Sequence, residues 1–127
     1  MSDSKYNIIL YETSNGKSQI GKFLEDLRLK SASSKDAHIQ YHKIIAYIEL
    51  LSQKGTLMGE NITKHLEENI WELRPGSNRI FYFFVEKDSF VLLHQFRKKS
   101  QKTPRREIER AKHERDDYLS RKERNEL

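Results

Sequence analysis

The sequence predicts an α+β fold of order β-α-α-β-β-β-α: a small, mostly antiparallel sheet with an N-terminal αα-hairpin and a C-terminal helix. Three observations predict it. Apolar residues recur with a helical period across residues 20–51, with one Ser-rich break. Two β-branched and aromatic runs flank a Pro-Gly-Ser-Asn turn, and a third follows at once. Thr103-Pro104 then opens a charged segment of helical composition.

Residues 5–12 (KYNIILYE) read as the first strand, since β-branched and aromatic side chains suit a pleated surface. Thr13-Ser14-Asn15-Gly16 is turn chemistry that also suits a helix start. Ile20, Phe23, Leu24 and Leu27 form one helical stripe, which Ser31-Ala32-Ser33-Ser34 breaks. Ser33 and Asp36 have the spacing of a capping box, and Tyr41, Ile44, Ile45, Ile48 and Leu51 line the second helix up to Gly55. The short link between the helices implies an antiparallel pair. Residues 56–69 read as a mixed loop. Residues 70–74 alternate, residues 75–78 turn, and residues 79–85 are strongly β-forming, which is a hairpin pattern. Residues 86–89 turn again, and residues 90–96 form the last strand. The last two strands are near-continuous apolar runs, so they belong at the centre of the sheet under helical cover. The final helix spans residue 104 to about 120 on a thin stripe of Ile108, Ala111 and Tyr118, and residues 121–127 are expected to fray.

The 127 residues are expected to form one domain, 1–127. The longest apolar run, residues 80–85, is far short of the ~18–20 that span a bilayer. No leader pattern opens the chain, so a cytoplasmic protein with no membrane association is expected. The absence of Cys excludes disulfides, thiolate metal sites and a Cys nucleophile. His38 and His42 stand four apart but lack the acid of an H-E-x-x-H site, so no metal is expected.

The formal net charge of +5 is unevenly placed. Residues 1–96 hold 12 Lys or Arg and 12 Asp or Glu, whereas residues 97–127 hold 12 and 7. Arg97, Lys98, Lys99 and Lys102 form a block without an acid, either a phosphate-binding footprint or a solvated surface. Antiparallel pairing brings Arg74 and Arg79 together across the turn, next to that block, as a cationic surface suited to bidentate phosphate contacts. Both arginines are alternatively plain turn charges, with Arg79 neutralised by Glu72. Trp71, Tyr82 and His94 lie on the same strands as stacking candidates, with core packing the favoured reading for Trp71.

The segment L-E-E-N-I-W-E-L-R-P-G-S-N-R-I-F-Y, residues 66–82, resembles the RelE/HigB toxin superfamily. Residues 91–104, V-L-L-H-Q-F-R-K-K-S-Q-K-T-P, followed by E-I-E-R-A, resemble its HigB-like, phage-associated, Gp49-like branch. The resemblance implies a toxin of a type II toxin–antitoxin pair within the RelE/ParE superfamily. Its HigB-like members are metal-independent, cofactor-free, ribosome-dependent mRNA endonucleases, in which the ribose 2′-OH attacks the adjacent phosphate. It implies Arg79 as the transition-state arginine, with Arg74, Lys98 and His94 completing the catalytic set. Lys64, His65, Trp71, Glu72, Arg97, Lys99 and Lys102 would contact RNA. Some RelE-type proteins carry lysines where this chain has Ile70 and Glu72, so Glu72 is either the base or the group that orients the arginines. The implied partners are the ribosome and mRNA, a HigA-like helix-turn-helix antitoxin, and operator DNA bound through that antitoxin. The alternative is a ParE-like toxin that inhibits DNA gyrase by binding, without cutting RNA.

Overall fold

The structure, a computed structural model, describes residues 5–127. The reading of residues 1–4 as carrying no leader lies outside them. The elements are β1 (Asn7–Leu10), α1 (Gln19–Lys30), α2 (Lys35–Lys54), β2 (Thr63–Glu67), β3 (Ile70–Leu73), β4 (Asn78–Val85), β5 (Ser89–Arg97) and α3 (Arg105–Glu123). The strands form one mixed sheet in the order β1-β5-β4-β3-β2, parallel between β1 and β5 and antiparallel elsewhere. The α+β class and the mostly antiparallel sheet are as expected from the sequence, with one strand more. No helix among the described residues is long and apolar enough to cross a membrane.

The sheet is covered on both faces. Ile20 and Leu27 of α1 and Ala37, Ile44 and Leu51 of α2 pack on Leu73, Ile80, Tyr82, Phe90 and Leu92. Ile108, Ala111 and Tyr118 of α3 pack on Ile70, Phe81, Phe83, Val91 and Leu93. Both faces of β4 and β5 are therefore apolar, which explains their unbroken hydrophobic runs. The helix starts are set by Ser18 and Ser34, whose hydroxyls accept from the Gly21 and Ala37 N–H groups at 3.0 and 3.2 Å. The second cap is thus one residue beyond the Ser33 expected. Gly55 ends α2 at φ 62°, and its N–H donates to the Leu51 carbonyl at 2.9 Å.

Three expectations require correction. The loop expected at 56–69 contains edge strand β2, in which only Thr63 and Leu66 face packed surroundings; Thr63 Oγ1 lies 2.6 Å from the buried Tyr82 hydroxyl. A mostly polar edge strand leaves little hydrophobic pattern to read. The helix expected to fray from residue 121 continues to Glu123. Arg121 is buried there, bonded to Asp117 and to the Glu12 carbonyl, and Asp117 accepts from the Tyr11 hydroxyl at 2.6 Å. Finally, the β4–β5 register shifts between Ile80 and Tyr82: Tyr82 pairs with Leu92 but Ile80 with Gln95, so Leu93 and His94 together oppose Phe81. This bulge turns both side chains toward α3, where strict alternation would send His94 to the other face.

Candidate active site

Glu72 and Arg74, two apart at the end of β3, fall on the α3 face, and Arg79 at the start of β4 returns to it beside them. Glu72 is only 2% exposed and stands at the centre. One carboxylate oxygen accepts from Thr103 Oγ1 at 2.7 Å; the other is 3.5 Å from Arg74 Nε and 3.8 Å from Arg79 Nε. Arg79 Nη1 donates to the carbonyls of Gly76 (2.8 Å) and Asn78 (2.9 Å), so the guanidinium braces the turn that precedes it. Burial pushes the Arg79 pKa below its usual value; Glu72 opposes that shift and the Arg74 charge adds to it. Arg74 is held from outside by the Glu60 carbonyl at 2.8 Å.

Residues 98–104 cross this cluster between β5 and α3. The Lys98 N–H is anchored to the Ser77 carbonyl at 2.8 Å and Thr103 to Glu72. On one side of this loop lies a cleft of about 690 Å³, with Lys64, Glu72, Arg74 and Lys102 above an apolar floor of Leu66, Pro104 and Ile108. On the other side an opening of about 630 Å³ is bordered by Gly76, Ser77, Arg79, Lys98 and Lys99. The two share Ser100 and Gln101, so they adjoin.

The cations divide in two. Every Arg and Lys from Arg105 to Arg124 has a carboxylate within 4.0 Å. In the preceding basic block, Arg97, Lys98, Lys99 and Lys102 have none, nor does Lys64 of β2, and the four lysines border the paired openings. Two buried-end arginines and four unpaired lysines around a groove can hold a polyanionic strand and neutralise charge growing on a phosphate.

Of the residues the sequence nominated, the structure brings together Lys64, Glu72, Arg74, Arg79, Lys98, Lys99 and Lys102. His65 borders the same cleft, its Nε2 2.6 Å from the Glu68 carbonyl. Three lie elsewhere. His94 is fully buried beneath α3 between Glu107 and Glu114, away from both openings, because of the β5 bulge. Trp71 alternates to the opposite face from Glu72, where it packs against the α1–α2 core beside Tyr82 and His65. Arg97 points back to Gln40 of α2 at 3.4 Å. Sequence reasoning missed Thr103, read as a helix cap; Pro104 is the N-cap residue instead and the hydroxyl goes to Glu72. It also missed Ser100 and Gln101, polar loop residues without a pattern of their own, and Arg105 at the start of α3.

The fold and site together define a small α+β protein with a cationic cleft beside a central antiparallel hairpin. Residues 22–116, which carry the whole of that cleft, match the family described as phage-derived protein Gp49-like (DUF891). The chain belongs to this family, which is RelE-like and toxin-like. No curated protein matches it.

Proposed function

We propose that the protein is the HigB-like toxin of a toxin–antitoxin pair and that it cuts translated mRNA on the ribosome. The observation that carries this reading is the set of unpaired lysines around Arg74 and Arg79, beside a helix α3 whose cations all have a carboxylate partner. Cleavage by 2′-OH attack on the adjacent phosphate needs charge stabilisation above all, and a pre-braced arginine supplies it without reorganisation. Arg79 takes the transition-state role. Arg74 and Lys98 flank the phosphate, and Lys64, Lys99 and Lys102 guide the strand. Glu72 serves as the orienting group rather than the base, since both of its oxygens are already engaged with Thr103 and the arginines. Proton transfer falls to side chains open to the groove, Lys98 foremost, with the ribosome completing the geometry. The reaction requires no metal or cofactor. A HigA-like antitoxin holds the activity in check in the cytoplasm and carries the pair to operator DNA.

The test is primer extension on one reporter mRNA after induction, with its start codon intact and removed. New 5′ ends inside the reading frame, dependent on translation and absent for Arg79→Ala, are expected. Growth arrest with no new 5′ ends would overturn the reading in favour of gyrase inhibition.

A further inference from the structure

The clamp around His94 has no part in the site just described, yet it closes over the segment that builds it. The ring is fully buried on Phe81, at 4.9 Å between centroids, and Phe81 stacks on Phe96. Nδ1 lies 2.6 Å from Glu114 Oε1 and Nε2 2.9 Å from Glu107 Oε1. Glu107 and Glu114 are seven residues apart, two turns along one face of α3. Residues 98–104 lie within the 13-residue span that the His94–Glu107 contact closes. The near end of that span is fixed by β5 and the Lys98–Ser77 hydrogen bond. The far end is fixed by the first turn of α3.

We infer that His94 is a positioning residue: through Glu107 it pins the start of α3, and so sets the path of the loop that presents Lys98, Lys99 and Thr103 to the cleft. A carboxylate only accepts, so both contacts exist together as hydrogen bonds only while the ring carries a proton on each nitrogen. A neutral ring turns a lone pair toward one buried carboxylate, and the clamp loses one end. The charged groups around it are few. On α3, Arg106 is 4.0 Å from Glu107 and Arg110 is 3.2 Å from Glu114. On the sheet, Phe81 separates the ring from Glu72 one strand away. Tyr11, just past β1, feels the Glu114 charge. The order of the loop depends on this geometry alone, whereas its catalytic consequence rests on the function proposed above.

The experiment is hydrogen–deuterium exchange of the full chain, read over the loop and the first turn of α3, where the N–H groups of Lys98, Glu107 and Ile108 are bonded, and corrected for intrinsic rates. Glu107→Ala should speed exchange in that loop by about tenfold while leaving α2 unchanged. Glu114→Ala should leave the loop protected and loosen only the later turns of α3. Glu107→Gln, which still accepts from Nε2, should restore most of the protection. Equal loop protection in Glu107→Ala and wild type would overturn the inference. A chain that shows the expected exchange pattern but cuts no RNA refutes the RNA-cleaving reading and leaves the clamp standing.

Discussion

Glu72→Ala removes the one carboxylate between Arg74 and Arg79. Breaking a buried ion pair by deleting one partner costs about 3–5 kcal/mol, because the other charge is left without compensation. Here that range is reduced. Arg74 keeps 24% of its side chain in solvent and can turn to water, and Arg79 keeps its two carbonyl acceptors. The loss of the acceptor for Thr103 acts in the other direction. The net expectation is a loss of about 2–3 kcal/mol for Glu72→Ala. At about 4 °C per kcal/mol for a chain of this length, Tm should fall by about 10 °C. Glu72→Gln keeps the volume and the Thr103 contact, so about half that loss is expected. Urea unfolding at neutral pH, run with both variants at low and high salt, measures the difference; a buried pair should be nearly insensitive to salt. If Glu72→Ala unfolds within about 0.5 kcal/mol of the wild type, the carboxylate does not hold the arginines, and its assignment as their orienting group is wrong.

Thr103→Val should cost about 1–2 kcal/mol by removing a hydrogen bond to a buried carboxylate, and should weaken binding of single-stranded RNA without unfolding the chain. Calorimetry and a binding titration on the same preparation check both parts. Burial raises the Tyr82 phenol to about 12, and burial with the Asp117 hydrogen bond raises that of Tyr11 to about 12. Both folded values lie above the usual one, so this stability is complete below about pH 10 and is lost as pH climbs through about 12, which denaturant melts across that window would show. Asp117 is held below the usual carboxylate range, chiefly by the Tyr11 hydroxyl, so its contribution is present above about pH 4 and lost on further acidification. Tyr11→Phe should therefore flatten the acid limb of the stability profile. Gly55→Ala would place a Cβ 3.2 Å from the Tyr6 ring at φ 62°, and should destabilise by more than about 1 kcal/mol in the same melts.

What could be read beforehand follows from where hydrophobic periodicity is strong. α1 and α2 each bury one stripe, and β4 and β5 bury both faces, so their patterns are dense and unambiguous. Strand β2 and the end of α3 are held by polar contacts: Thr63 to Tyr82, Arg121 to Glu12 and Asp117 to Tyr11. Such contacts join residues distant in sequence and leave no local period. The cluster of Glu72, Arg74 and Arg79 was legible because a tight turn forces those positions together. The fates of His94 and Trp71 were not. One is set by a bulge at Leu93–His94 that no residue type announces, the other by which face of β3 meets which helix.

The charge of the chain acquires meaning only after the fold pairs it. A net +5 concentrated in residues 97–127 suggests a basic tail that would bind polyanions along its whole length. In the folded chain α3 spends its cations on carboxylates: Lys112 alone lies near Glu67, Glu68 and Glu109, and Arg115 near Glu68 and Asp116. These pairs fasten α3 to the β2–β3 turn and cancel its field at short range. Of the lysines in residues 97–127, those without a carboxylate partner lie in the 98–104 loop, and with Lys64 on the facing strand they border one groove. A phosphate strand approaching this groove therefore finds uncompensated lysines on its rim, beside Arg79, which is buried and braced by two backbone carbonyls. Steering and transition-state stabilisation then coincide at Arg79 because the ion pairs of α3 remove the competing sites.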